Sequence, residues 1–395
     1  MAGPLTGVKV LSFGRVLAGP YAAMLMADLG AEVFKIEDRE KGDMARNNGP
    51  FIKDVSSYFL SVNRGKKSVG LNMRHDKAQK LLLKLIGTID ILVENFRPGV
   101  MKKMGLDYDS LKELNPGLVY VSISGFGQYG PYAQKPAFDM IAQGMGGTVS
   151  ITGEADRPPV RVGYSIGDIG AALYAVTAAM AALYEREKTG LGQQVDVAML
   201  DCQVALCENA CARYFATGEV PRPLGSRHPI VTPFQVFPTK TDDMVVITFR
   251  DEEWRNLCRV IGREEWIEDE RFNTSANRTE HHAELEPLLV EIFKQKTRDE
   301  WLNLLEQQGI VVSPVNNIQQ AVSDPHVLER EMILAVDHSR LGKVNVVGTP
   351  MKFSRTPCRI EKASPDLGEH TAEFLEEWLG LSPEEIDSLR VEKVI

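Results

Sequence analysis

Residues 8–37 read VKVLSFGRVLAGPYAAMLMADLGAEVFKIE, and the change of period inside this stretch decides the fold. Val8–Phe13 is a β-rich run, Gly19-Pro20 opens an apolar helical pattern that continues to Leu29, and Val33–Glu37 is a second extended run. Proline suits the first helical turn, where the N–H it lacks would have had no partner. Strand, helix and strand in succession make a βαβ unit, whose strands lie parallel. The pattern recurs downstream. Lys77–Ile86 is amphipathic, Asp90–Glu94 and Leu118–Ile123 are extended, residues 168–186 form an Ala-rich helix, and Gln194–Ala198 is extended ahead of a second apolar helix. The expected class is α/β, a Rossmann-like large part with a mainly parallel sheet plus a smaller α+β part.

The 395 residues, 44% of them hydrophobic, are enough for more than one folding unit. Residues 218–233 hold Pro221, Pro223, Pro229 and Pro233 with little periodicity, which marks a linker or active-site loop. The expected division is 1–215, a connecting loop 216–233, a smaller α+β part 234–330 that includes the strand Met244–Phe249, and a segment 331–395. A net charge of −9 gives no global attraction to nucleic acid or to an anionic membrane. Residues 1–105 nevertheless carry 17 Lys/Arg against 10 Asp/Glu, so an anionic ligand is expected there. The longest uncharged run, Ile169–Tyr184, has 16 residues and falls short of the roughly 20 of a membrane span. Met1–Val10 lacks the basic and apolar regions of a secretory signal. Cys202, Cys207, Cys211, Cys258 and Cys358 form no C-x-x-C pair and read as reduced thiols of a cytoplasmic protein.

Gly125-Phe-Gly127-Gln-Tyr-Gly130 matches G-x-G-x-x-G after an extended run, which raises a dinucleotide site. Pro131 follows at once and no helical pattern opens, so a Gly/aromatic loop near a ligand fits better. Gly14–Pro20 places Arg15 and free backbone N–H groups at a helix start, which suits either a phosphate or an ordinary βα turn. Arg39, Arg46, Arg64, Lys66, Lys67, Arg74, Arg97, Lys102 and Lys103 recur near strand ends, where some can serve a phosphate-rich ligand. Asp168, in Ile166-Gly-Asp-Ile-Gly170, fits a helix N-cap and equally a carboxylate nucleophile flanked by glycines. His281-His282 lacks i,i+4 metal spacing and is expected to be exposed.

Taken in order, Pro4–Leu11, Ala18-Gly-Pro20, Asp28–Val33 with Lys35-Ile-Glu37, Val93–Gly99, Ser124–Gly127, Lys188–Gln193 and Val195–Asp201 resemble the class III CoA-transferases. That group includes formyl-CoA transferase, carnitine CoA-transferase and the α-methylacyl-CoA racemases. Weaker matches continue through Asp324-Pro325, Gly348-Thr-Pro350 and Leu367–Thr371. The resemblance implies an interlocked homodimer whose Rossmann-like large domain is built from both ends of the chain, with 331–395 returning to it. It implies an acyl-CoA and a carboxylic acid as partners, coenzyme A as substrate, and no metal or tightly bound cofactor. It assigns Asp168 as nucleophile, and it places coenzyme A against Val16, Leu17, Ala18, Leu71, Asn72, Met73, Arg74, Asn95, Phe96, Arg97 and Lys103. Some members carry arginine at the position of Asp38, for which Arg39 would substitute.

Two departures narrow the chemistry. The racemase branch has His-Asp where this chain has Phe138-Asp139, and phenylalanine exchanges no proton at an α-carbon. The formyl/oxalyl branch has glutamine in place of Leu17 and a glycine run in place of Leu224–His228. Asp139, Gly225, Ser226 and Arg227 are the candidate substrate residues, with Arg227 suited to the second carboxylate of a dicarboxylate such as succinate. The expected activity is an acyl-CoA:carboxylate CoA-transferase working through aspartyl anhydride and thioester intermediates. The competing readings are an acyl-CoA racemase of the same fold, a nicotinamide dehydrogenase, and a non-catalytic CoA-binding subunit in which Asp168 only caps a helix.

Overall fold

The computed structural model describes residues 3–248 and 250–395; Met1, Ala2 and Phe249, the last expected to end the strand begun at Met244, lie outside the described residues. The chain divides into two compact units. The first holds the residues up to Thr148, Val162–Ala216 and Pro325–Ile395; the second holds Val149–Arg161 and Thr217–Asp324. Residues 149–161, which the sequence keeps with the first segment, group with the second, where the Gly225 N–H donates to the Gly153 carbonyl at 2.8 Å.

The first unit is organised on a six-stranded sheet of β1 (Lys9–Ser12), β2 (Glu32–Asp38), β3 (Lys67–Leu71), β4 (Ile91–Glu94), β5 (Val119–Ser124) and β6 (Gln194–Ala198). Their order is β3-β2-β1-β4-β5-β6, with every neighbouring pair parallel. The chain steps outward from β1 to β3 and then returns to β4, so the crossovers after β1 and β4 leave on opposite sides. Ligands of such sheets bind at that reversal, beyond the carboxyl ends of the strands.

Both faces of the sheet are covered, which explains strands that read as continuous apolar runs. On one face Val10, Val33, Ile91 and Val121 pack with Ala22, Ala23 and Met26 of α1 (Ala18–Asp28) and with Ala171, Ala172, Ala175 and Ala179 of the long helix Ile166–Thr189. That helix is long and apolar enough to cross a membrane by length and composition alone, yet its alanine face is buried against the sheet. On the other face Leu11, Phe34, Ile36 and Leu92 meet Leu82 and Leu85 of α2 (Asp76–Leu85) and residues delivered from the far end of the chain, Phe374, Leu375, Ile386 and Leu389. The Phe34 ring lies 4.9 Å from Phe374 and 4.5 Å from Trp378, centroid to centroid.

Two elements depart from the sequence reading. Strand β3, Lys-Ser-Val-Gly-Leu, was not expected, because lysine, serine and glycine dilute its apolar signal and it pairs with β2 alone at the sheet edge. The apolar helix after β6 is two helices, Met199–Leu206 and Glu208–Thr217, that break at Cys207.

The second unit has a three-stranded antiparallel sheet, β7 (Phe234–Pro238), β8 (Met244–Thr248) and β9 (Val311–Pro314), with β8 in the centre. Its core gathers Phe237, Ile247, Trp254, Trp266, Phe293 and Trp301. His282 corrects an expectation. It is buried rather than exposed, with Nε2 at 2.8 Å from Gln235 Oε1, so a side-chain amide of β7 satisfies the ring inside the unit.

Candidate active site

At the reversal between β1 and β4 the first unit holds a cavity of about 240 Å³. Its walls are the β1–α1 turn from Arg15 to Ala18, the Asn95–Pro98 segment after β4, Ile123–Gly125 at the end of β5, and Lys135–Phe138; Asp168 and Met199 complete it. Of the residues singled out from sequence, Val16, Leu17, Ala18, Asn95, Phe96, Arg97 and Asp168 meet there.

The β1–α1 turn is shaped by close approach. A Cβ on Gly14 would lie 2.7 Å from the Gly19 carbonyl carbon, so glycine lets the strand end and the helix start touch. Side chains fasten the backbone between them. Lys35 Nζ donates to the Gly14 carbonyl at 2.5 Å. Asn95 accepts from the Arg15 N–H at 2.7 Å and donates to the Arg15 carbonyl at 2.9 Å. Asp43 accepts from the Val16 N–H at 3.0 Å and 3.2 Å. Val16 sits at φ +63°, a left-handed conformation that is costly for a β-branched residue, of order 1–3 kcal/mol. The Arg15 guanidinium lies 4.9 Å from the centre of the Phe96 ring.

Asp168 is the third residue of the helix Ile166–Thr189, inside the first turn and not at the N-cap, which is Ser165. The capping reading of Asp168 is thereby corrected. Asp139 satisfies the helix start instead: Oδ1 accepts from the Gly167 N–H at 2.8 Å, and Oδ2 accepts from Gln143 Nε2 at 2.7 Å. Gly167 admits this contact, since a Cβ there would come within 2.9 Å of Asp139 Oδ1. The Asp168 carboxylate carries no such duty and lines the same cavity as Ala18, the first residue of α1, whose N–H acts to lower its pKa. Burial, with the Asp139 charge nearby, pushes its pKa up to about 7 against the lowering effect of that N–H. A second carboxyl at this edge behaves alike: Glu94, at the end of β4, is buried and pushed up to about 7, although the Phe96 N–H donates to it.

The cationic first quarter resolves into two populations. Arg46 is bidentate on Glu37, Arg64 is bidentate on Asp28, Lys67 pairs with Glu32, and Lys66 is buried on the Pro20 and Val62 carbonyls and the Asn63 side chain. These four stabilise the fold. Arg15 and Arg97 line the cavity, joined there by Lys135 from outside residues 1–105. Lys135, Met44 and the Lys35–Asp43 pair were missed from sequence. A lysine between Phe34 and Ile36 in an otherwise apolar strand was the available signal, because lysine is almost never fully buried unless paired.

The remaining candidates stand outside this lining. Arg39 pairs with Glu40 and donates to the Ile395 carbonyl at 3.1 Å; the Asn72 N–H donates to the Val394 carbonyl at 2.8 Å; Leu71 is wholly buried. Met73 packs against the core, Arg74 is exposed beside Asn72, and Lys103 ends a four-residue helix, Val100–Lys103. Gly225, Ser226 and Arg227 belong to the second unit, where the Val236 N–H donates to Ser226 Oγ and the Arg227 charge acts on His282, whose pKa is lowered mainly by burial. The Gly125–Gly130 motif meets no helix start. Gly125 abuts Ala137, and the Gln128 N–H donates to Asp196.

Comparison with known proteins agrees along most of the chain. The model of CoA-transferase family III matches residues 5–371. A succinate–glutarate CoA-transferase of Agrobacterium fabrum is 38% identical over 95% of this chain and 95% of its own length. A succinyl-CoA–D-citramalate CoA-transferase of Chloroflexus aurantiacus is 36% identical over 99% and 98%. The crystal structure of a CAIB/BAIF family protein from Brucella suis superposes with a TM-score of 0.86 at 36% identity, covering 96% of this chain and all of that one.

Proposed function

Since the chain belongs to CoA-transferase family III, and is a CoA-transferase, we propose that it exchanges coenzyme A between acyl-CoA and a free dicarboxylate with Asp168 as the covalent relay. The observation that carries this reading is Asp168 itself, in the wall of the switch-point cavity with its capping duty taken over by Asp139. The ionised carboxylate attacks the thioester carbonyl of the donor; the C–S bond breaks and coenzyme A leaves as thiolate, giving a mixed anhydride. The thiolate then attacks the aspartyl carbonyl, releases the donor acid and leaves an aspartyl-CoA thioester. The acceptor carboxylate attacks this thioester, forming a second anhydride and again a thiolate, which takes the new acyl group and returns Asp168 as carboxylate. Each bond made is close in energy to the bond broken, so covalent relay replaces one difficult exchange by easier steps. Arg15, Arg97 and Lys135 supply cations for the phosphates and carboxylates of the substrates. Arg39, Asn72, Arg74 and Lys103 extend the proposed coenzyme A path along the same sheet edge, after β2, β3 and β4.

Phe138 in the cavity wall offers no proton to an α-carbon, which favours transfer over racemisation. The named relatives act on succinate, glutarate and citramalate, which supports a dicarboxylate substrate. Arg227 is the proposed partner of the second carboxylate: Arg227→Ala should lower kcat/KM about tenfold more for dicarboxylate than for monocarboxylate acceptors, and equal losses would remove that role. We also propose the interlocked homodimer. The apolar residues Met140, Ile141, Leu173, Tyr174, Tyr184 and Phe215 are all exposed on the first unit, which is more apolar surface than solvent favours on adjacent helices.

The mechanism is tested by incubating the enzyme with succinyl-CoA and no acceptor, then adding hydroxylamine. The peptide containing Asp168 should gain the hydroxamate mass. Modification elsewhere, or none with active enzyme, overturns the assignment.

A further inference from the structure

We infer that the buried Lys35–Asp43 pair is a positioning device for the nucleophile, holding Val16 in its left-handed conformation so that the start of α1 at Ala18 stands on the same cavity wall as Asp168. The inference rests on the reading of Asp168 as covalent relay and adds residues that contact neither substrate nor the reacting atoms. Lys35 stands on β2, 0% exposed at its side chain, and its ammonium bridges the Gly14 carbonyl and Asp43 Oδ2, the latter at 2.8 Å. Asp43 follows β2 and is 1% exposed at its side chain. It accepts the Val16 N–H with both oxygens and the Ala45 N–H with one. The Glu37 carboxylate accepts the Asp43 N–H at 2.9 Å and is itself held by Arg46 and Ser68. A charged pair wholly inside the protein persists only when each partner is fully engaged. Here every bond that engages it, apart from the mutual one, lands on the backbone of the β1–α1 turn or on Asp43's own loop.

The consequence is mechanical. Valine left to itself avoids positive φ. Released, Val16 would return to an extended or right-handed conformation and carry Leu17 and Ala18 with it, since Asn95 secures only Arg15 beyond this point. The start of α1 would shift against Asp168 in the shared cavity wall, and a misplacement of about 1 Å at a reacting group costs roughly a hundredfold in rate. The charge state of Asp168 is set first by its burial and then by the Asp139 charge; Asp168 in turn acts on Tyr58, and Arg15, Arg97 and Lys135 line the same cavity.

The test measures the rate at which succinyl-CoA acylates Asp168, trapped by hydroxylamine, together with kcat. Asp43→Ala should lower both about a hundredfold. Adding Val16→Gly to that variant should restore at least about tenfold, because glycine takes positive φ without enforcement; a purely structural loss at Asp43 would gain nothing from glycine at 16. Where Asp43→Ala yields no soluble protein, Lys35→Met with Asp43→Leu removes both charges together and keeps the interior filled. That double variant, in which no net charge has changed, should show the same slow acylation and the same glycine rescue. Wild-type acylation rates in folded Asp43 variants, or loss without glycine rescue, overturn the inference. Absence of Asp168 labelling in the wild-type enzyme is a different result and overturns the reading beneath it.

Discussion

Two loops leave the carboxyl edge of the same sheet. The Gly125–Gly130 loop after β5 spells a nucleotide-binding motif and opens no helix; the Gly14–Gly19 turn after β1 spells no such motif and opens α1 beside Asp168. The difference is position. β1 lies at the reversal of strand order, where crossovers diverge and leave a crevice, whereas β5 is flanked by β4 and β6 and its loop is free to fold back on Ala137. Spacing of glycines records where backbone comes close to something; the sheet order decides what that something is.

The largest test of this contrast is Asp168→Asn. Asparagine keeps the size of the side chain, but a neutral amide forms no anhydride, so turnover should fall by at least about a thousandfold with the fold intact. A folded, active variant, checked by mass for deamidation, would return Asp168 to a structural role.

Next is pH. With its pKa near 7 in the free enzyme, Asp168 is protonated below neutrality, and kcat/KM should fall about tenfold per unit well below pH 7. The stability sign is opposite. A carboxyl whose pKa is raised on folding favours the native state when neutral, so Asp168 and Glu94 both withdraw stability as pH rises from about 4 through 7. Asp168→Asn and Glu94→Gln should therefore raise Tm most at pH 8, with the gap shrinking steadily as the pH is lowered toward about 4. A Tm gap that does not depend on pH would mean these carboxyls are not perturbed.

Glycine substitutions address the two loops directly. Gly14→Ala forces a methyl to 2.7 Å from backbone that cannot retreat and should cost about 2–3 kcal/mol in chemical unfolding. Gly130→Ala meets open space, and its positive φ alone should cost about 1 kcal/mol. Equal costs would show that the two loops are equally constrained. Within the switch-point site, Arg97→Ala should weaken coenzyme A binding by about 1–3 kcal/mol and flatten its salt dependence, read by calorimetry; Arg46→Ala, whose partner Glu37 is internal, should lower Tm with little change in affinity.

The sequence carried the βα alternation, the parallel sheet and Asp168, because each is written in local period or in a short motif. It did not show β3, whose Lys-Ser-Val-Gly-Leu is extended through pairing with β2 more than through its own composition. Nor did it show which cations are internal: Arg46 and Arg64 look like Arg97 in one dimension, and only the carboxylates of Glu37 and Asp28, folded against them, tell them apart. Asp139, expected among the substrate residues, instead holds the start of the helix that carries Asp168, for the same reason, since capping here is done by a residue from another helix.

The packing of Phe34 on Phe374 and Trp378 also sets a timetable. A ribosome adding about 5–20 residues per second needs tens of seconds between the two partners. Meanwhile Leu11, Phe34, Ile36 and Leu92 have α2 and Met101, Leu106 and Leu111 to cover them but not the C-terminal residues, and the inserted stretch Thr217–Asp324 is already out and able to close its own tryptophan-rich interior. The nascent chain thus matures from its middle outward, and the half-dressed sheet is the form that chaperones meet. Substitutions at Phe374 or Leu375 should therefore surface first as poor yield from cells, and only afterwards as a lower melting temperature of whatever protein survives.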